Sequence, residues 1–114
     1  RLNQSLQKSP EKQKMNILKI TNGKVELRKD NGSLIRIIGS GDAVNADISN
    51  DGSLILVTTV KGKVELRKEI GSIVRIIGSG DAINAKFSGS DILVMTSKGK
   101  TEVRKENGSL IRII

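Results

Sequence analysis

Two short segments of this 114-residue chain carry residue types at the spacing of a chemical site. In "DISNDG", Asp47, Ser49 and Asp51 fall at alternate positions before Gly52. That is how a calcium loop opens, with oxygen ligands from alternate positions converging on a hard cation. The later acidic ligand is missing, because Thr58 stands where such a loop needs Glu. The second copy reads Lys86, Ser88, Ser90 and has lost its carboxylates. No metal is expected. The other segment is "GSGD", at Gly39–Asp42 and Gly78–Asp81. It has the glycines of a phosphate cradle, but a phosphate loop is followed by a helix and a Lys-Ser/Thr pair. Here a β-type run follows, so both copies read as turns, with Asp42 and Asp81 as capping carboxylates.

Composition narrows the chemistry further. The chain has no histidine and no cysteine, which removes the usual general base, the usual zinc ligands and every disulfide. An enzyme would have to work with carboxylates and lysines alone, so no enzymatic activity and no cofactor is expected. The net charge of +8 would suit an acidic partner such as nucleic acid. Phe87 is the single aromatic residue, which argues against single-stranded nucleic acid, held largely by stacking. No apolar run approaches the roughly 18 residues of a membrane span, so no membrane partner is expected. No signal peptide is visible, which sets the cytoplasm as the default compartment. The chain begins at Arg1 rather than Met, the mark expected of a segment or a processed product.

The elements that must position these segments are repeats. "GKVELRK" occurs at Gly23–Lys29 and Gly62–Lys68, and "RIIGSGDA" at Arg36–Ala43 and Arg75–Ala82, both 39 residues apart. The third round, "GKTEVRK", starts at Gly99, 37 residues after Gly62. Two residues have gone from a turn, where "SNDGSLILV" becomes "SGSDILV". Each unit holds four short β-type runs separated by Gly, Asn, Asp or Ser. They are "AVNADIS" with "AINAKFS", "LILVTT" with "ILVMTS", "KVELRK" with "KTEVRK", and "LIRII" with "IVRII" and "LIRII". Helical periodicity is absent from this region.

"LILV" and "LIRII" are apolar on both faces, apart from one Arg, whereas "VNADI" and "KVELRK" alternate. Two-faced strands belong to sheets covered on both sides, which predicts stacked four-stranded sheets. In the third run Lys24, Glu26 and Arg28 share one face, as do Lys63, Glu65 and Arg67. Such a mixed row predicts a solvated face with cross-strand charge pairs. Ahead of the repeats, "MNILKITNGKV" aligns with "LILVTTVKGKV" at the same 39-residue offset. Residues 1–14 are polar and lysine-rich, and read as a lead-in or a degraded inner strand.

A four-stranded repeat of about 40 residues with a "DAVN…DGS-L" core resembles the WD-repeat type of β-propeller. The likeness runs from Met15 to Ile114. The signature Trp-Asp is replaced by Arg28-Lys29, Arg67-Lys68 and Arg104-Lys105, and Gly-His by Gly39-Ser40 and Gly78-Ser79. The buried hydrogen-bond network of that family therefore cannot form. The resemblance implies an all-β chain of antiparallel meanders in three blades: residues 15–38 (second to fourth strands only), 39–77 and 78–114. The "AVNADIS" runs become innermost and the "LIRII" runs outermost.

Three blades do not close a ring, since propellers have roughly four to eight. Homo-oligomerisation is the expected remedy, with a dimer giving six blades favoured over a trimer giving nine. The implied function is a binding scaffold presenting repeated loops to itself or another protein. Its candidate interaction surface is Asp42, Asn45, Lys61, Asp81, Asn84 and Lys98, bordering the channel. The alternatives are a basic ring that binds a polyanion such as nucleic acid, and a strand-swapped or re-paired β assembly, because near-identical units exchange strands easily.

Overall fold

Short β-branched runs punctuated by glycine form hairpins and little else, and the computed structural model shows this over residues 16–114, which it describes. These residues form eleven strands and no helix. The expected lead-in or inner strand of residues 1–14 lies outside the described residues. The first sheet contains β1 (Ile17–Thr21), β2 (Lys24–Arg28) and β3 (Leu34–Ile38). The second contains β4 (Ala43–Ile48), β5 (Leu54–Thr59), β6 (Val64–Lys68) and β7 (Ile73–Ile77). The third contains β8 (Ala82–Ser88), β9 (Asp91–Thr96), β10 (Thr101–Arg104) and β11 (Leu110–Ile113). Strands neighbouring in sequence are neighbours in each sheet and pair antiparallel, so each sheet is a meander. The all-β expectation holds.

One turn corrects the alignment of the first unit. Asn22 (φ 51°) and Gly23 (φ 80°) make a two-residue hairpin turn, closed by Thr21 opposite Lys24. The matching turn of the second sheet holds Val60, Lys61 and Gly62 between Thr59 and Lys63. The turn is one residue shorter, so β1 slips by one place against the 39-residue offset. Leu18 faces Leu27 across the first sheet just as Leu56 faces Leu66 across the second. A one-residue slip exchanges the faces of a strand. The residues of β1 that face the second sheet are therefore Leu18 and Ile20, with Ile17 and Lys19 on the outer side.

The sheets stack face to face, and β5 sits between two neighbours. Its Ile55 and Val57 pack with Val25, Leu27 and Ile38 of the first sheet. Its Leu56 lies on the other face, with Val64, Leu66 and Ile77, against Ala82, Ala85, Ile92 and Val94 of the third sheet. Ile55, Leu56 and Val57 are all buried, as a two-faced strand requires. The outer strands depart from the two-faced reading of "LIRII". Ile38 and Ile77 are buried, but Leu34, Ile37, Ile73, Ile76, Leu110 and Ile113 are about half exposed. These strands lie at the sheet margin, where the twist carries most of each strand beyond its neighbour.

Candidate interaction surface

The mixed charge row is the first element of the site; its Glu and Arg members are half-buried or buried, while Lys24 and Lys63 are exposed. Glu65 and Glu102 are buried, and each holds the Arg two residues on in its own strand. The geometry repeats in all three sheets. Nε of Arg28, Arg67 and Arg104 donates to Oε1 of Glu26, Glu65 and Glu102, each at 2.9 Å. Nη1 of the same arginines donates to the carbonyl oxygens of Gly32, Gly71 and Gly108 at 2.6, 2.7 and 2.7 Å. The arginine thus ties the third strand of each unit to the turn that follows it. Residues two apart share a strand face, so the pair forms along the strand rather than across it. The Glu-x-Arg repeat was the visible signal for this.

A backbone joint connects successive sheets. The Ala43 N–H donates to the Gly23 carbonyl at 2.9 Å, and the Ala82 N–H to the Gly62 carbonyl at 3.0 Å. The approach is so close that a Cβ at Gly23 or Gly62 would be driven into the carbonyl oxygen of Gly41 or Gly80. Within the second and third sheets, the same loops are tied by Val60 N–H to Asp42 O and Ser97 N–H to Asp81 O, each 2.9 Å. The third copy of the glycine differs. Gly99 is exposed, and among the described residues nothing lies within 4 Å of where its Cβ would stand.

The six candidate surface residues fall at this end of the sheets or on the inner strands. Lys61 and Asp81 line one shallow cleft of about 320 Å³, with Gly62 and Gly80 between them. Lys98 is exposed in the matching turn of the third sheet. Asn45 uses its Oδ1 to accept the Ala46 N–H at 2.8 Å, and Asn84 is half-buried on β8. Asp42 and Asp81 each bury Oδ1 with no hydrogen-bond partner among the described residues. Their backbone carbonyls, rather than those side-chain atoms, hold the turns.

The carboxylates of "DISNDG" serve separate tasks. Asp47 Oδ2 accepts the Phe87 N–H at 2.8 Å, joining the two inner strands. Asp51 Oδ1 accepts the Ser53 N–H and the hydroxyls of Ser53 and Ser49 at 3.0, 2.7 and 2.8 Å. These bonds, the Ser53 N–H foremost, hold the Asp51 carboxyl down at about 2. Among the described residues no group of acidic side chains is placed to hold a metal ion.

The two end faces of the stack are unlike. Cross-strand register places Ile17, Lys19 and Thr21 where the second sheet has Ile55, Val57 and Thr59. The outer face of the first sheet thus has a lysine at its centre, and Lys19 is exposed. On the third sheet Leu93, Met95 and Val103 stand where Leu56, Thr58 and Leu66 stand in the second. On that outer face Leu93 and Met95 are half-buried and Val103 is buried. The topology also gathers charge. Lys24, Lys61, Lys63, Lys98 and Lys100 are all exposed in or beside the turns between the second and third strands of each unit.

No curated protein matches this sequence. Among solved structures the chain is similar to BamB from Moraxella catarrhalis, a β-propeller protein, with a TM-score of 0.60 at 10% identity. The match covers 85% of this chain and 34% of that one, so the chain spans about a third of BamB's length. The likeness shows the fold, and the three meanders resemble propeller blades. The family model described as the Helicobacter pylori IceA2 protein matches residues 15–77, from the first sheet to the end of β7. That is more than half of the sequence, and the chain belongs to the IceA2 family.

Proposed function

We propose that the chain is a non-enzymatic assembly scaffold, a WD-like propeller segment that self-associates and presents its repeated loops to a protein partner. One observation supports this above the others. Leu56, fully buried in the second sheet, recurs on the outer face of the third as Leu93, which is only half-buried, beside the half-buried Met95. Covering such a face with a second chain removes apolar surface from water at about 25 cal/mol per Å². A dimer of three-sheet chains would offer six blades, within the roughly four to eight of closed propellers. The non-enzymatic reading is supported by the lack of His and Cys and by the use of the loop carboxylates in structure. Light scattering across concentration tests it. A dimer or trimer supports the scaffold reading, and a monomer at all concentrations overturns it.

A second reading is supported by the five lysines gathered at one end of the sheets. They would bind a polyanion without base recognition, chiefly through phosphate contacts. Neutralising about five phosphates would weaken binding to duplex DNA on the order of a hundredfold or more between 50 and 200 mM salt. Salt-independent or undetectable binding to a duplex probe at 50 mM salt would remove this reading.

A further inference from the structure

We propose that the end of the stack carrying the five lysines docks on an anionic lipid surface, with exposed valine and isoleucine side chains entering the interface between the cations. This rests on the reading of those lysines as a polyanion site, and it names the polyanion.

Charge is distributed unequally between the two ends of the sheets. At one end, the turns between the third and fourth strands set cations beside carboxylates, as Lys29-Asp30, Lys68-Glu69 and Lys105-Glu106, all exposed. Their charges cancel locally. At the other end, Lys24, Lys61, Lys63, Lys98 and Lys100 are exposed in or beside the turns between the second and third strands. Asp42 and Asp81, placed among them, are half-buried, and each has one carboxylate oxygen out of reach of water. The backbone joints at Gly23 and Gly62 hold the turns of successive sheets together, so these lysines share one surface. The positive field is strongest there.

Apolar side chains stand out among these lysines. Val60 is 68% exposed beside Lys61, and Ile83 and Val44, at the starts of β8 and β4, are 58% and 50% exposed. Val60, Lys61 and Ile83 line the same cleft. Val44 and Ile83 lie where the inner strands shift register, one between Ala43 and Asn45 and the other between Ala82 and Asn84. A bulged residue is unpaired and its side chain is re-aimed, here into solvent. Scattered singly, such side chains would be ordinary. Gathered among five cations, they have the chemistry of a membrane-surface contact, where apolar burial and attraction to anionic headgroups add. The phosphates of a duplex would engage the lysines and leave Val60 and Ile83 in water, so a lipid surface is the polyanion that uses the whole patch. The sequence expectation of no membrane partner rested on the lack of an apolar run long enough to span a bilayer. A peripheral contact needs no span.

Cosedimentation of the full chain with vesicles of phosphatidylcholine containing about 30% phosphatidylglycerol tests this, beside a duplex DNA probe at the same salt. Binding to the mixed vesicles is expected at about 50 mM salt and should weaken at about 200 mM, with none to pure phosphatidylcholine. Val60→Ser together with Ile83→Ser weakens vesicle binding by about tenfold or more. The same pair leaves duplex binding within about twofold of the parent, since the phosphate contacts remain. Ser97 already stands at the place of Val60 in the third sheet, donating its N–H to Asp81 as Val60 does to Asp42, so that turn accepts serine. Lys61→Gln with Lys98→Gln weakens both, by about fivefold per lysine on vesicles. Ile70→Asn removes an isoleucine that is 64% exposed at the opposite end, where the other two units carry Asn31 and Asn107. It leaves vesicle binding within about twofold. A chain that binds the duplex but not the mixed vesicles overturns the lipid assignment alone. A chain that binds neither at the lower salt overturns the polyanion reading as well. Vesicle binding that falls with the lysine pair but ignores the loss of Val60 and Ile83 overturns the docking surface, since charge alone would then carry it. Vesicle binding that falls with Ile70→Asn instead puts the contact at the other end and overturns it too.

Discussion

Gly62 and Gly99 sit in the same Lys-Gly-Lys turn with nearly the same backbone, and one is buried under its neighbour while the other has nothing against it among the described residues. The same holds for the faces beside them. Leu56 is fully buried against the third sheet, whereas Leu93, at the same register, lies on an outer face. The difference teaches that near-identical repeated residues reach different environments according to whether a neighbouring sheet lies against them, as expected where each repeat contacts only its neighbours.

The largest effect should come from testing these leucines against each other. Leu56→Ala is expected to cost about 3 to 4 kcal/mol in urea unfolding, through lost transfer energy plus a cavity between two sheets. Leu93→Ala, measured at dilutions where the chain is monomeric, is expected to cost about 1 kcal/mol, because part of that side chain already meets water. Equal costs at high dilution would break the comparison. The gap should narrow as concentration rises and the outer face becomes covered.

The glycine joint comes next. Gly62→Ala adds a Cβ where the Gly80 carbonyl lies, and it holds a residue with a side chain at φ +87°. A cost of about 2 to 3 kcal/mol is expected, from backbone strain and the forced parting of two loops. Hydrogen exchange at the Ala82 N–H should speed up in the variant, since that bond is the one displaced. A cost no larger than that of Gly52→Ala would mean that the close approach contributes nothing.

The stacked architecture was legible because it depends on two features a sequence shows directly. Repeat length fixes the unit, and two-faced runs such as "LILV" announce a sheet covered on both sides. What was hidden depends on geometry between units. The burial of Glu65–Arg67 follows from a neighbouring sheet, and alternation alone reads the same for a solvated row. The slip of β1 depends on a turn of two residues rather than three, a difference that an ungapped alignment across "TNGKV" and "TTVKGKV" conceals. The outer "LIRII" strands misled for the opposite reason. Their composition is that of a covered strand, but their place at the margin leaves Leu34 and Ile37 half exposed. The joint residues were visible as repeats, and only the structure showed that Gly23 and Gly62 meet the next unit's loop.

The smallest of these effects probes the other end of the stack. In the second sheet the Arg67 and Glu65 side chains keep 14% and 11% of their exposure, while Arg28 and Glu26 on the outer face of the first keep 28% and 15%. Arg67→Ala leaves a buried carboxylate without its cation and the Gly71 carbonyl without a donor, at an expected cost of about 2 kcal/mol. Arg28→Ala removes the same two bonds where water can replace them, so less than about 1 kcal/mol is expected at dilution. Adding Glu65→Gln to Arg67→Ala should recover part of the loss, since the orphaned charge is then gone. Denaturant unfolding of the four chains measures all of this. If Arg28→Ala cost as much as Arg67→Ala even at dilution, the outer face of the first sheet would already be covered.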